Sequence, residues 1–196
     1  MNLRSSLVIA TVMIAMSAGA AAANSNCPDP ANMIGNCGFD TDITGWFVGD
    51  GTAYHDPVDG ATAPGSLCID AVDDGGTWIV LMGYCITSFS SATTYSGGIT
   101  FRQTGGTTPT SNYVELSQRP QTNCGGVPTA VDLRNDVPIS GSWSDSPNLT
   151  MTTTSTTGGL GLFVYFEDPA PFTICFDDGY IGIGLVPVEL EALTVE

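Results

Sequence analysis

The sequence predicts an all-β protein, built as a β-sandwich of the jelly-roll type. Short segments with alternating apolar and polar residues recur along the chain, and clusters of Gly, Pro, Ser, Thr and Asn separate them. After residue 23, no segment carries apolar residues at a 3.6-residue period over three helical turns. We find neither an internal repeat nor a linker long enough to divide the chain, so these strands should form a single domain.

The first 23 residues have the pattern of a secretory signal peptide. Arg4 supplies the positive charge, residues 7–16 form an apolar run, and residues 17–23 are mostly small residues before a cleavage site. The apolar run is too short to cross a bilayer. We therefore expect export to the periplasm, to the medium or to a bacterial cell surface.

The remaining chain divides into a polar arm (24–31), a jelly-roll domain (32–184) and a tail or last strand (185–196). Strands are predicted at 33–39, 46–48, 52–55, 66–70, 77–86, 94–103, 113–118, 127–133, 141–153, 159–166 and 172–183. The sequence Asp73-Asp74-Gly75-Gly76 favours a hairpin between the fourth and fifth of these strands. The tail alternates apolar and acidic residues, which is typical of a strand.

Alternation along strand 94–103 separates a core face from a polar face. Tyr95, Ile99 and Phe101 share one face, and their apolar content predicts that it is buried. The other face is polar and rich in small residues: Ser96, Gly98, Thr100 and Arg102. Such a face suits the floor of a groove that a ligand approaches closely.

Two further strands show the same alternation. In strand 113–118, Val114 and Leu116 should point inward, which leaves Tyr113 and Glu115 outside. In strand 159–166 and just beyond it, one set holds Leu162, Val164 and Phe166 and the other holds Phe163, Tyr165 and Glu167. The second set can place Tyr165 on the groove side, although the pattern leaves the register open.

The charge balance excludes some classes of partner. The sequence has 20 acidic residues and 4 basic ones, which gives a formal net charge of −16. Nucleic acid is excluded because phosphate binding requires a basic face. An anionic membrane surface is disfavoured for the same reason. The acidic residues suit solubility outside the cell and the binding of cations.

All the cysteines follow the predicted signal peptide, and their number is even. In an exported chain this predicts three disulfides rather than a metal or redox site. The pairing stays open, with a bridge from Cys27 to Cys37 expected first because it would tie the arm to the first strand. The cysteines are Cys27, Cys37, Cys68, Cys85, Cys124 and Cys175.

Catalysis has little support in the sequence. His55 is the only histidine, it lies beside Asp56 in a polar segment, and no Gly-x-Ser-x-Gly motif accompanies it. Glu115 and Glu167 could act as the carboxylate pair of a glycosidase, but a chain with 20 acidic residues always contains such pairs. We therefore expect a binding protein rather than an enzyme, with no catalytic residues.

The order of several short motifs along the chain is informative. The sequence Asn36-Cys37-Gly38-Phe39-Asp40 is followed by Gly45-Trp46, then by a Thr94-Tyr95 strand that ends at Arg102, and finally by a strand that closes with Asp177-Asp178. In this order and spacing they resemble the carbohydrate-binding-module family of β-jelly-rolls that is attached to bacterial xylanases and cellulases. The resemblance covers roughly residues 32–183.

The resemblance implies a structural calcium ion where the first strand meets the last. Its ligands would be Asp40 together with Asp177 or Asp178. The family usually has Glu at the position of Asp40. In the alternative interpretation Asp40 caps a turn and the Asp pair closes a strand edge. Adjacent carboxylates repel one another unless a cation or hydrogen-bond donors compensate, which favours the ion.

The resemblance also implies a sugar-binding groove. Sugars present apolar C–H faces and rings of hydroxyls, so their sites combine aromatic side chains with planar polar groups. Arg102 should bridge sugar hydroxyls with its planar guanidinium while a nearby aromatic such as Tyr113 or Tyr165 stacks on the ring. The expected ligand-binding residues are Arg102, Gln103, Tyr113, Glu115, Trp143 and Tyr165. We expect Trp46 to be buried.

The predicted function is therefore that of a secreted, non-catalytic protein that binds a neutral polysaccharide, such as a β-glucan, xylan or mannan. A net negative surface would repel sulfated or uronate-rich chains. The alternative is a structural subunit of a surface layer or filament, in which the tail 185–196 pairs with the sheet edge of a neighbouring copy. A glycoside hydrolase is a third hypothesis, which rests on fold analogy and acidic pairs alone.

Overall fold

A computed structural model describes residues 27, 29–49, 51–62, 64–72, 78–109, 111–167 and 171–184. The predicted signal peptide (1–23), the tail (185–196) and the predicted hairpin turn (73–76) lie outside these residues. The described chain forms strands and no helix, so it contains no helix able to cross a membrane. The strands are β1 (Trp46–Val48), β2 (Thr52–Asp56), β3 (Ser66–Ala71), β4 (Trp78–Ile86), β5 (Thr94–Gly106), β6 (Ser111–Arg119), β7 (Ala130–Asn135), β8 (Ser144–Asp145), β9 (Leu149–Thr152), β10 (Gly159–Glu167) and β11 (Phe172–Gly182).

The strands form two antiparallel sheets that face each other. A five-stranded sheet has the order β1-β4-β10-β6-β7, and a six-stranded sheet has the order β2-β3-β11-β5-β8, with β9 also paired to β5. From β3 to β6, each strand lies in the opposite sheet to the one before it, and β10 and β11 are divided in the same way. This connectivity is that of a jelly roll, and the predicted all-β sandwich is confirmed.

The hydrophobic core lies between the two sheets and follows the predicted alternation. Phe101 contributes from β5, Leu116 from β6 and Val164 from β10, and all are at most 2% exposed. The predicted inward sets of β5 and β6 are therefore confirmed, and on β10 the structure places the set of Leu162, Val164 and Phe166 inward. Because successive residues of a strand face opposite sides, the residues between these positions face away from the core.

The predicted strand 33–39 is wrong. This segment runs through turns and bends, and its neighbourhood pairs with β11 through a single bridge between Asn32 and Gly182. Phe39 is fully buried but has a φ of 50°, which a strand cannot accommodate. Burial of an apolar residue in a loop therefore produced the strand-like pattern. Trp46 is buried as predicted, and its Nε1–H donates to the Asn36 carbonyl at 2.8 Å.

The predicted hairpin between β3 and β4 is also wrong. β3 pairs with β2 and β11, whereas β4 pairs with β1 and β10, so the connection passes from one sheet to the other. The predicted strand 141–153 divides into β8 and β9, which both pair with β5. Local turn signals predict a change of direction but not which sheet receives the next strand.

Three disulfides brace the sandwich. Cys27 pairs with Cys37, Cys68 with Cys175 and Cys85 with Cys124. The prediction that all six cysteines pair is confirmed, and so is the first expected pair. The second bridge joins β3 to β11 directly, whereas the third ties β4 to the loop that follows β6.

Removing these bridges should destabilise the domain unequally. The Cys68–Cys175 bridge closes a loop with a sequence separation of 107, against 10 for Cys27–Cys37. A longer closed loop restricts the unfolded chain more, and the loss of a native disulfide typically costs about 2–5 kcal/mol. We expect the Cys68→Ala/Cys175→Ala variant to lose more unfolding free energy in denaturant than the Cys27→Ala/Cys37→Ala variant. Equal losses would show that loop length does not set these contributions.

Candidate ligand-binding site

The structure divides the predicted sugar-binding residues between the two sheets. Arg102 lies on β5 of the six-stranded sheet, whereas Glu115 lies on β6 of the five-stranded sheet. The neighbouring residues Phe101 and Leu116 are both in the core, so Arg102 and Glu115 face opposite outer sides of the sandwich. The prediction that Arg102 acts beside Tyr113 or Tyr165 in one groove is therefore wrong.

The outer side of the five-stranded sheet carries a cluster of aromatic and charged residues, which we call the aromatic face. Its members are Phe47, Tyr113, Glu115, Arg119, Phe163 and Tyr165. Strand pairing aligns Phe47 with Gly83, Gly83 with Phe163, and Phe163 with Glu115. The face therefore crosses the sheet from β1 to β6, and Tyr165 and Tyr113 form a second aligned row beside it.

Two glycines leave room for the ring of Phe163. A Cβ atom at Gly83 would lie 2.6 Å from the Phe47 ring and 2.7 Å from the Phe163 ring. A Cβ at Gly161 would lie 2.4 Å from the same Phe163 ring. Since carbon atoms pack at about 3.5–4.0 Å, only glycine fits beneath this ring. Phe163 consequently rests against the sheet, with Phe47 beside it at 5.7 Å between centroids.

Arg119 stacks on Phe163 and is fixed there by polar partners. Its guanidinium carbon lies 4.6 Å from the ring centroid. The Nη2 group donates to Glu115 Oε1 at 2.6 Å and to the Tyr165 hydroxyl at 2.8 Å. A flat cation held in this way presents both a plane and hydrogen-bond donors to a ligand.

The loop after β6 supplies further hydrogen-bond acceptors to Arg119. The Nη1 group donates to the Gly126 carbonyl at 3.0 Å, and Nε donates to the Ser117 hydroxyl at 3.1 Å. The Cys85–Cys124 disulfide anchors this loop to β4. These contacts engage four of the five N–H donors of an arginine, and the described chain leaves one Nη1 hydrogen for a ligand.

The electrostatics of the aromatic face favour a neutral ligand. The Glu115 carboxylate and the Arg119 guanidinium cancel each other locally, with side-chain exposures of 6% and 15%. Burial lowers the pKa of Arg119, but the bond to Glu115, its charge and the contact with Tyr165 raise that pKa above its usual value. Burial is the main cause that raises the pKa values of Tyr113 and Tyr165, and the charge of Glu115 raises them further. Both tyrosines are therefore neutral at physiological pH.

The face combines a buried floor with an exposed rim. Phe163 and Tyr165 are buried, whereas Phe47 is 39% exposed and Tyr113 is half-buried. Tyr113 stacks on Tyr165 with the two rings nearly parallel at 4.2 Å. The rim aromatics can therefore offer apolar surface to a ligand, while Arg119 supplies polar contacts between them.

Arg102 and Trp143 form a separate pair on the six-stranded sheet. The Arg102 guanidinium lies 5.0 Å from the centroid of the Trp143 ring and makes an ion pair with Asp59. Gln103 has a local role, since its amide donates to the carbonyls of Gly105 and Gly106. The structure thus brings Arg102 and Trp143 together and places Tyr113, Glu115 and Tyr165 elsewhere.

Asp177 and Asp178 are buried side by side in β11. Asp177 accepts the backbone N–H of Ala61 at 2.6 Å, and the Thr62 hydroxyl lies 2.7 and 2.8 Å from the two carboxylate oxygens of Asp178. Burial raises the pKa of Asp177 to about 7, with a further contribution from Asp178. Burial also raises the pKa of Asp178 to about 6, against the effect of the Thr62 bond. Two buried carboxyls of this kind fit a cation that would offset their charge.

Asp40 is less well placed for the expected calcium site. It is exposed, although its carboxylate and that of Asp177 both approach Gly38, where a Cβ would lie 3.5 and 3.8 Å from one oxygen of each. Within the described ranges, no three His, Cys, Asp or Glu side chains form a group that could hold a metal ion. The described structure therefore offers the buried Asp pair, with neighbouring hydroxyl or carbonyl oxygens, and the participation of Asp40 stays a prediction.

His55 does not belong to a catalytic arrangement in the described structure. Its Nε2 lies 2.6 Å from the Phe39 carbonyl oxygen, so it hydrogen-bonds the loop that precedes β1. Glu115 is held by Arg119, and Glu167 lies four residues beyond the register partner of Glu115 along β10. That offset corresponds to about 13 Å of strand, whereas glycosidase carboxyls lie about 5–9.5 Å apart.

Sequence reasoning missed Arg119, Phe163 and Phe47 as site residues. The outward alternation of Tyr113 and Glu115 continues through Ser117 to Arg119, because β6 extends one residue beyond its predicted end. That period-two pattern was the signal that could have identified Arg119. No local signal distinguishes Phe47, because it depends on the pairing of β1 with β4.

Solved structures of carbohydrate-binding modules share this architecture. TmCBM61, solved with β-1,4-galactotriose, matches with a TM-score of 0.53 and 17% identity over 76% of this chain and 97% of that one. The CBM22-1 xylan-binding domain of Paenibacillus barcinonensis Xyn10C matches with a TM-score of 0.51 and 14% identity over 74% of this chain and 90% of that one.

An enzyme also contains a similar domain. The enzymatically active domain of tailspike protein 4 from bacteriophage CBA120 matches with a TM-score of 0.57 and 11% identity. This chain is covered to 78% but spans 21% of the tailspike chain. No protein-family model and no curated protein matches the sequence. At these identities the matches establish architecture: the chain has the β-sandwich fold of the carbohydrate-binding modules, as its motifs predicted.

Proposed function

We propose that the protein is a secreted, non-catalytic module that binds a neutral polysaccharide on its aromatic face. The single observation that carries this proposal is the Arg119–Glu115 pair stacked on Phe163. Its charges cancel within an aromatic surface, although the whole chain has a formal charge of −16. A charge-balanced site with apolar planes and fixed donors suits the C–H faces and hydroxyls of an uncharged sugar.

The nature of the similar proteins supports the same class of ligand. One match was solved with a β-1,4-linked galactotriose, and another is described as xylan-binding. Galactotriose is an uncharged, β-1,4-linked sugar. For this chain the proposed ligand is a polysaccharide of that class, and nucleic acid and anionic membranes remain unsuitable partners for so acidic a surface.

The non-catalytic part of the proposal rests on the placement of the carboxylates. Glu115 is engaged by Arg119, and the register of β10 on β6 sets Glu167 apart from it. Three disulfides are compatible with an oxidising, extracellular location.

We further propose that a structural calcium bound by Asp177 and Asp178 would offset two buried negative charges and tie β11 to the loop 57–62.

Affinity electrophoresis tests the proposed site. Native gels cast with xylan, galactan, mannan or β-glucan should retard the protein, and Phe47→Ala should reduce that retardation severalfold because it removes an exposed plane of the rim. Tyr54→Ala is a matched control, since Tyr54 is 41% exposed but lies on the six-stranded sheet. If Phe47→Ala is retarded as strongly as the unmodified protein, the exposed rim is not part of the binding site. No retardation of the unmodified protein on any of the polysaccharides would contradict the proposed function.

A further inference from the structure

The second arginine–aromatic pair repeats the chemistry of the first on the opposite side of the domain. Arg102 lies over Trp143 at 5.0 Å and pairs with Asp59, as Arg119 lies over Phe163 at 4.6 Å and pairs with Glu115. Each group therefore contains a guanidinium, an aromatic plane and a carboxylate with cancelling charges. We call Trp143, Arg102 and Asp59 the Trp143 platform.

The platform is mounted on the rigid part of the six-stranded sheet. Ser144 pairs with Phe101 across β8 and β5, and the N–H of Gln103 donates to the Ser140 carbonyl at 2.8 Å. The segment that carries Trp143 is thus fixed at both ends to the strand that carries Arg102. A fixed aromatic plane loses little conformational freedom when a ligand stacks on it.

The platform is also more accessible than its counterpart. The side chains of Arg102 and Asp59 are 26% and 24% exposed, against 15% and 6% for Arg119 and Glu115. Trp143 is half-buried, and Gly141 and Ser142 before it are exposed. Small polar residues beside an aromatic plane leave room for a ring to approach it.

The hydrogen bonding of Arg102 is less complete than that of Arg119. In the described chain, the Arg102 Nε–H is buried without a hydrogen-bond partner, whereas the Nε–H of Arg119 is bonded to Ser117. A buried donor without a partner costs free energy. Packing alone therefore does not explain the position of the Arg102 side chain. The buried Nε–H is itself out of a ligand's reach, but of the described residues only Asp59 accepts a hydrogen bond from the Nη groups, which leaves donors for ligand contact.

We infer that the Trp143 platform is a second contact site for neutral polysaccharide. A sugar ring would stack on the face of Trp143 that Arg102 leaves uncovered, and its hydroxyls would bond to Arg102 and Asp59. The choice of ligand class rests on the proposed function, because the two groups share their chemistry and their local charge balance. Since the two sites face opposite sides of the sandwich, one molecule would bridge two polysaccharide chains.

Single and combined variants test the inference by affinity electrophoresis and light scattering. Trp143→Ala should weaken retardation by about fivefold through lost avidity without lowering the melting temperature, and Trp143→Phe should restore most of it. The unmodified protein should cluster a soluble xylan or β-glucan, and Trp143→Ala should abolish that clustering. Combining Trp143→Ala with Arg119→Lys should abolish retardation.

The outcomes separate this inference from the proposed function. Normal retardation and clustering by Trp143→Ala would overturn the second site and leave the aromatic face intact. Loss of retardation by Trp143→Ala, together with full retardation of Arg119→Lys, would support the platform and overturn the aromatic face. No retardation of the unmodified protein on any neutral polysaccharide would overturn both.

Discussion

Replacing Arg119 with lysine should weaken polysaccharide binding by about tenfold or more while the domain stays folded. Lysine keeps the positive charge beside Glu115, so the buried carboxylate retains a counter-ion. It lacks the plane that stacks on Phe163 at 4.6 Å and the fork that reaches Glu115, Tyr165 and Gly126 together. The loss should appear in affinity electrophoresis and in titration calorimetry with an oligosaccharide of the best-retarding polysaccharide.

Arg119→Ala should have a larger effect and should also destabilise the fold. It leaves Glu115, whose side chain is 6% exposed, without its counter-ion, and breaking a buried pair costs roughly 3–5 kcal/mol. Adding Glu115→Gln should recover part of this stability without recovering binding. Recovery of binding in the double variant would show that Arg119 serves the fold and not the ligand.

Arg134→Lys provides the matched control. Arg134 forms its own ion pair with Asp132 on β7, but the strand register aligns these residues with Val114 and Leu116. They therefore lie outside the row of Glu115 and do not join the aromatic face. An equal loss of affinity in Arg134→Lys and Arg119→Lys would point to overall charge rather than to the stacked guanidinium.

Alternation within single strands was the most reliable guide to this structure. It placed Leu116 in the core and turned Glu115 outward, because side-chain direction depends on the strand's own period of two. On β10 it separated Val164 from Tyr165 without deciding which of the two points inward. It also turned Arg102 outward correctly. Alternation does not determine which sheet a strand joins, because that depends on pairing with residues far away in the sequence.

The errors in the predicted site follow from that missing long-range information. Arg102 and Tyr113 are close in sequence and both point outward, yet β5 and β6 belong to opposite sheets. The grouping of Phe47, Gly83 and Phe163 arises from three strands that are widely separated in sequence. A motif search cannot assemble such a row without knowing the strand order.

The stability of the metal-free protein should fall as the pH rises from about 4 to about 7. Burial raises the folded-state pKa of Asp177 from 3.8 to about 7 and that of Asp178 to about 6. Between the unfolded and folded values, the folded protein binds more protons than the unfolded chain, so each rise in pH favours unfolding. For Asp177 alone the loss over this range is on the order of 4 kcal/mol. Denaturant unfolding in a chelator at a series of pH values measures it.

Calcium should reverse part of this loss at pH 8. An ion held by the ionised Asp177 and Asp178 stabilises the folded state by mass action, by about 2.7 kcal/mol at a hundredfold excess over its Kd.

Asp177→Asn removes one ionisable ligand, so it should flatten the pH dependence in chelator and abolish the response to calcium. Asp70→Asn is the control, because Asp70 is exposed on the same sheet and bonds Thr173. An equal response to calcium in Asp177→Asn and Asp70→Asn would place the ion elsewhere. A melting temperature indifferent to both pH and calcium would instead show that the buried pair carries neither a titration nor a metal.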